Sequence, residues 1–159
     1  MSRADFGEAQ RWFDAAHVRA FWTDRRSVDE KYGPRVEGDS PFSVWIVEVD
    51  GVPAGVVQSC PARQYAWWPS ELGLDDAIVV DGLVGEPALV GRGVGTLALA
   101  RLIERVLAED PSASGVAAAT EADNAASCRV LEKAGFTCVF AGDLERDGQR
   151  GRRVYFRAR

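Results

Sequence analysis

From Val84 to Thr96 the chain reads Val-Gly-Glu-Pro-Ala-Leu-Val-Gly-Arg-Gly-Val-Gly-Thr, an apolar run that breaks into alternating glycines and then turns helical. Such a turn suits an anion. Gly91, Gly93 and Gly95 let bare backbone amides approach a phosphate, and a helix N-terminus adds unpaired N–H groups and the positive end of its dipole. A diphosphate is the natural guest, with Arg92 as a charge partner or simply a solvated side chain. The plainer alternative is that the glycines only shape a tight strand-to-helix connection. A P-loop is excluded because no Gly-Lys-Ser/Thr follows. A dinucleotide-binding pattern fits Gly93-x-Gly95-x-x-Ala98, but it normally opens a βαβ domain, and only about 60 residues remain after it.

The elements that must hold this turn follow from periodicity. Residues 8 to 30 read as one or two short amphipathic helices, after which Gly33-Pro34 and Gly38 to Pro41 break the pattern. Phe42 to Glu48 and Ala54 to Ser59 are strands joined by an Asp50-Gly51 hairpin turn. Residues 61 to 76 form a long polar loop carrying Tyr65, Trp67 and Trp68, and Ala77 to Val84 is the next strand. The clearest helix runs from Gly93 or Val94 to Glu109, with Leu99, Leu102, Ile103, Val106 and Leu107 on one face and Asp110-Pro111 as its stop. Val116 to Thr120 is a buried strand and Ala125 to Ala134 a helix closed by Gly135. Thr137 to Leu144 and Arg152 to Arg157 make a last hairpin around Asp147-Gly148. The expected architecture is one α/β domain over residues 1 to 159 with a mixed sheet.

The glycine turn alone is a weak signal, but it pairs with Asn124-Ala-Ala-Ser-Cys-Arg-Val-Leu-Glu-Lys-Ala-Gly-Phe136 about thirty residues later. Together they resemble the Gcn5-related N-acetyltransferases, and more narrowly the aminoglycoside 6'-N-acetyltransferases and their relatives in siderophore biosynthesis. Trp12-Phe-Asp-Ala-Ala-His17-Val with Phe21-Trp22 is similar to that subgroup's N-terminal segment. Gly55-Val-Val-Gln58-Ser59 is similar to its third-strand segment, and Val80-Asp81 sits where the subgroup keeps an Asp. Val90 is aliphatic, as often in the subgroup. Two positions depart from the pattern: Leu131 stands where many members have a Tyr that protonates the leaving thiolate, and Ala119 where the aminoglycoside enzymes tend to have an Asp.

The resemblance implies a fold with a splayed strand pair in the central sheet and acetyl-CoA as cosubstrate. Backbone amides of Leu83, Val84 and Gly85 would hold the pantetheine arm and polarise the thioester carbonyl. Those of Val90, Gly91, Arg92, Gly93, Val94, Gly95 and Thr96 would take the diphosphate, while Asn124 and Ser127 bond the cofactor; Asn124 also suits a helix N-cap. Asp81, at a strand end, would bind the acceptor ammonium and take its proton, against the plainer reading of an Asx turn with Gly82. Without a Tyr at 131, water, a helix dipole, Ser127 or Tyr155 would help the thiolate leave.

The acceptor is expected from composition. No Lys or Arg lies between Arg63 and Arg92, whereas Glu71, Asp75, Asp76, Asp81 and Glu86 do. With Tyr65 and Trp68 on the same loop, Gln58 in the matching strand segment, and Trp22 either closing the site or in the core, a small cationic amine such as an aminoglycoside or polyamine fits; the plainer reading is a solvated acidic loop whose Trp side chains fold on the core or on a partner subunit. A siderophore-type amine or hydroxylamine acyltransferase and a non-catalytic acyl-CoA-binding module are the alternatives. The formal net charge of −5 excludes an evident nucleic-acid surface, because the only basic cluster is six arginines against two acids in residues 144 to 159, read as a solvated strand face or a dimer edge. Three cysteines without a CxxC pair and a single histidine argue against a disulfide framework or a zinc site. Cys60 and Cys128 read as buried core residues and not as nucleophiles. With no apolar leader or membrane-length stretch, the expectation is a cytoplasmic monomer or homodimer.

Overall fold

The computed structural model describes residues 1–22, 24, 26–65, 72–144 and 149–159. Helices α1 (Phe6–Asp14), α2 (Ala16–Arg19) and α3 (Val28–Glu37) precede the hairpin β1 (Ser43–Val49) and β2 (Val52–Pro61). Then follow β3 (Ile78–Val84), α4 (Val94–Glu109), β4 (Gly115–Glu121), α5 (Ala125–Lys133), β5 (Thr137–Leu144) and β6 (Gln149–Ala158). Among the described residues these strands form one mixed sheet in the order β1-β2-β3-β4-β6-β5.

One expectation fails in the N-terminal half. Gly33 and Pro34 lie inside α3 and do not break it. The helix survives because it is pinned at both ends. Ser27 and Glu30 form a reciprocal capping box, and Gly38 closes it at φ 85°. Its inner turn is also held by packing, since Tyr32 is fully buried with Trp12, Ala9, Val28 and Val56.

The two faces of the sheet are covered differently. On one, α4 and α5 set Leu99, Leu102, Ile103, Val106, Cys128 and Leu131 against Ile78, Val80, Val116, Ala118 and Tyr155. On the other, α1 to α3 cover β1 and β2, while Ala62, Tyr65, Leu72, Leu74 and Ala77 pack on Val79, Ala117 and Val154.

The feature that matters for function is where the sheet opens. β3 and β4 are parallel and pair only at Ile78↔Val116 and Val79↔Ala117. Beyond those pairs β3 stays with β2 as far as Gly55↔Val84, while β4 stays with β6 as far as Glu121↔Arg152. The strands therefore part into a wedge whose lips are the C-terminal ends of β3 and β4. This is the splayed pair that the family resemblance implies, and α4 and α5 both start beside it.

Candidate active site

The end of β3 is held open by the N-terminal helices. Gly85 N–H donates to the Ala54 carbonyl at 2.8 Å, so by strand alternation Gly85 and Leu83 turn their peptide groups to β2, and Val84 turns its own into the wedge. The Val84 carbonyl accepts a hydrogen bond from His17 Nε2 at 3.0 Å, which requires the proton on that nitrogen. Of the three amides expected to meet the cofactor at Leu83, Val84 and Gly85, the N–H of Val84 is thus the one aimed at the opening. Gly85 has a structural task instead. A Cβ there would stand 2.1 Å from Trp12 Cγ, and Trp12 Nε1 donates to Glu86 Oε1 at 2.8 Å. Trp12, His17 and Glu86 as buttresses of this strand end were missed from the sequence. The signal was Trp12 and His17 five residues apart in the segment that resembles the subgroup's N-terminus.

The glycine turn divides its amides in a similar way. Val90 N–H is spent on the Pro87 carbonyl at 3.2 Å and Arg92 N–H on Leu89 at 3.3 Å, which removes both from the expected set. The first amide closed by α4 itself is that of Leu97, on the Gly93 carbonyl at 3.0 Å. The N–H groups of Gly91, Gly93, Val94, Gly95 and Thr96 have no partner among the described residues, no side chain caps the helix, and no acid lies in its first turn. Gly91 (φ 77°) and Gly93 (φ 86°) are left-handed, which curls these amides into a concave, exposed nest. Such a nest fits a diphosphate. A cavity of about 820 Å³ between β1 and the side of α4 touches the turn at Arg92, Gly93 and Val94, but it lies on the face of the sheet away from Asp81.

At the N-terminus of α5, Asn124 is buried and its side chain accepts from Ser127 N–H at 3.1 Å, so it is an N-cap; its amide group and the Ser127 hydroxyl remain free to bond a ligand in the wedge among the described residues. Leu131 is core, and so is Tyr155, which is fully buried and whose phenol burial pushes up to about 12. Tyr155 is therefore out of reach of a leaving group. Cys60 and Cys128 are buried, as expected, and burial raises the Cys60 thiol to about 11.

Asp81 stands exposed on the β3 lip, on the face covered by α1 to α3. Its Oδ1 accepts Gly82 N–H at 2.7 Å, but both residues lie within β3, so the pair does not form the Asx turn of the plainer reading. Its Oδ2 accepts from Gln58 Nε2 at 3.1 Å, and Gln58 Oε1 in turn accepts from Arg35 Nη1. Tyr65 lies close to Asp81, and burial followed by that carboxylate raises its phenol to about 12. Arg35 and Lys31 also face this cluster and were missed, because reading Gly33-Pro34 as a break hid their i, i+4 spacing on one helix.

Other expected acceptor residues are not brought here. Asp75 and Asp76 sit in the exposed turn before β3, where the Asp76 carbonyl accepts from Ser114 at the closed end of the wedge. Asp81 lies five positions beyond Asp76 along the extended chain, roughly 16 Å. Trp22 packs edge-on against Phe13 at 5.1 Å, and Lys31 Nζ lies 4.0 Å from its ring centre, so its own chain fills that cation seat. Trp67, Trp68 and Glu71 lie outside the described residues, as do Arg146, Asp147 and Gly148. The C-terminal arginines are less solvated than expected: Arg152 pairs with Glu121, Arg157 donates to the Ala134 carbonyl at 2.8 Å, and Arg159 to Leu107 at 2.7 Å.

The model of the acetyltransferase (GNAT) domain family matches residues 2–144. The chain belongs to this family. Solved structures agree with the assignment. Aminoglycoside acetyltransferase AAC(6')-Ib in complex with coenzyme A superposes with a TM-score of 0.84 at 27% identity, covering 100% of this chain and 92% of that one. The same enzyme with ribostamycin and coenzyme A gives 0.82 at 25%, covering 99% and 90%. An aminoglycoside N(6')acetyltransferase from Legionella pneumophila shares the fold at a TM-score of 0.73 and 14% identity, covering 98% and 87%. No curated protein matches the chain. This GNAT protein is an N-acetyltransferase that uses acetyl-CoA and acts on an amine. Among its described residues no helix is long and apolar enough to cross a membrane.

Proposed function

We propose that residues 1 to 159 act as one N-acetyltransferase domain on a primary amine of a small, cationic molecule, an aminoglycoside or related amine, in the cytoplasm. The observation that carries this reading is the juxtaposition, at one end of the sheet, of the unspent amide nest, the Val84 N–H in the wedge, and the Asp81 carboxylate on the lip. Acetyl-CoA would supply the activated acyl group, with its diphosphate on Gly91, Gly93, Val94, Gly95 and Thr96.

The chain's own groups divide the remaining work. Asp81 attracts the acceptor as an ammonium and takes its proton directly or through water, a role worth roughly 10²- to 10⁴-fold. The freed amine forms the new N–C bond as the C–S bond breaks, the electron pair leaves on sulfur, and the nitrogen sheds its remaining surplus proton to water. The Val84 N–H supports the negative charge developing on the carbonyl oxygen. The departing thiol has a pKa near 8.5, so water or the Ser127 hydroxyl suffices as proton source.

The test follows free thiol release from acetyl-CoA over a panel of aminoglycosides, polyamines and amino acids, with Asp81→Asn alongside. The reading expects amine-dependent release and a loss of at least a hundredfold in the variant. Coenzyme binding without release by any amine would instead point to a non-catalytic module.

A further inference from the structure

The acceptor face of the sheet carries more positive charge than an acidic cleft should. Among the described residues, four cations face it from α3, the segment before it, and β6. Three are answered: Arg26 and Lys31 both reach Asp24, at 2.8 and 3.3 Å, and Arg152 pairs with Glu121. Arg35 is not answered, because among the described residues no carboxylate lies within ion-pair distance of it. It is nevertheless half-buried, and burial pulls its guanidinium below the ordinary value. A desolvated cation without a counter-ion is a cost that a bound anion would relieve.

The geometry also says where such an anion would bind. The Arg35 guanidinium lies 4.0 Å from the Phe42 ring centre and 5.0 Å from that of Tyr32. Aromatic packing of this kind uses the flat faces and leaves the in-plane N–H fork for hydrogen bonds. One donor of that fork goes to Gln58 Oε1, and the others have no partner among the described residues. Because Gln58 spans from Arg35 to Asp81, the cation sits one side-chain amide and two hydrogen bonds from the base, roughly 6 to 8 Å.

We propose that Arg35 is an anion-binding site within the acceptor pocket, so that the preferred acceptor carries a carboxylate in addition to the amine held by Asp81. This rests on the acetyl-transfer reading of Asp81 and moves the preferred acceptor from a polycation to an amine that also carries a carboxylate. A polycation would find Asp81 flanked by Arg35, whereas an amine with a carboxylate at the matching spacing answers both charges at once. Arg35 would then set specificity through direct contact, in addition to orienting Gln58.

The test compares initial rates for ω-amino acids of increasing chain length with the alkylamines of equal length, which differ only in the carboxylate, and includes amino sugars. The wild-type enzyme is expected to favour the amino acid at one chain length by ten- to a hundredfold in kcat/KM, expressed in KM. Arg35→Met should bring that ratio to about one, and Arg35→Lys should restore part of it. Equal rates within every matched pair would overturn the proposal, and that comparison needs no variant. So would an unchanged ratio in Arg35→Met, which would leave Arg35 only its bond to Gln58. Release with amino sugars alone also overturns it while leaving acetyl transfer intact, whereas release with no acceptor removes both.

Discussion

Gln58 and Asp81 are cross-strand partners in the β2–β3 register, and the Gln58 amide donates to Asp81 Oδ2 at 3.1 Å. The orientation of that amide is settled by Arg35, which can only donate and therefore claims the oxygen end. The Asp81 carboxylate, proposed as the base, is thus held by a buried side chain while Asp81 itself stays exposed. Gln58→Leu should remove this support. A hydrogen bond to a charged group contributes about 1.5–3 kcal/mol, so kcat is expected to fall roughly ten- to a hundredfold. Calorimetric titration should find affinity for coenzyme A unchanged.

Gly85→Ala is expected to disturb the β3 lip through Trp12, since the added methyl would meet the indole at 2.1 Å and both groups are fixed by their neighbours. Overpacking of this kind costs about 1–3 kcal/mol. Denaturant unfolding reads the loss, and kcat should drop with it because Val84 is moved.

Backbone strain and ligand contact separate at two neighbouring glycines. Gly93→Ala has open space around the methyl but must hold φ 86°, at a cost of about 1–2 kcal/mol, and relaxing that strain disperses the nest. Gly95 lies in α4, where an added methyl would stand 3.5 and 3.6 Å from methyls of Val84 and Val130, an ordinary contact, so Gly95→Ala should change stability by less than about 1 kcal/mol. Melting curves and coenzyme titrations on the two variants check the contrast.

Lys31 gives a pH signature. Burial lowers its ammonium to about 8, against the opposing pull of Asp24 and Asp81. Its folded value lies below the unfolded one near 10.5, so between those values the unfolded chain binds more protons. Burying the charged form therefore costs stability below about pH 8, and the cost is relieved as pH rises toward 10.5. Relative to Lys31→Met, the wild-type protein should gain stability over that window, by up to about 3 kcal/mol. Denaturant midpoints from pH 7 to 10.5 measure it, and taking the difference cancels the Cys60 titration common to both proteins.

The sequence carried the elements well where local signals agreed. Asp50-Gly51 turns the β1–β2 hairpin, both residues at positive φ, and Asp110 ends α4. It failed at α3, because a Gly-Pro pair is a local breaker and the burial of Tyr32 that overrides it is tertiary. The same limit explains the site. Gly91 and Gly93 announce a nest, but which amides are spent inside the turn depends on the carbonyls of Pro87 and Leu89. Asp75 and Asp76 are close to Asp81 in sequence, yet a strand carries them to its other end. Arg35 reaches Asp81 only through Gln58, a contact between helix and sheet that no spacing encodes.

The amide nest ahead of α4 is the claim on which the enzyme reading stands, and a calorimetric comparison of coenzyme A, 4′-phosphopantetheine and pantetheine tests it most directly. Affinity is predicted to rise along the series from pantetheine to coenzyme A, by on the order of a hundredfold or more overall, and that gain should shrink in Gly93→Ala. Equal affinity for pantetheine and coenzyme A, or a gain that Gly93→Ala leaves intact, would contradict it.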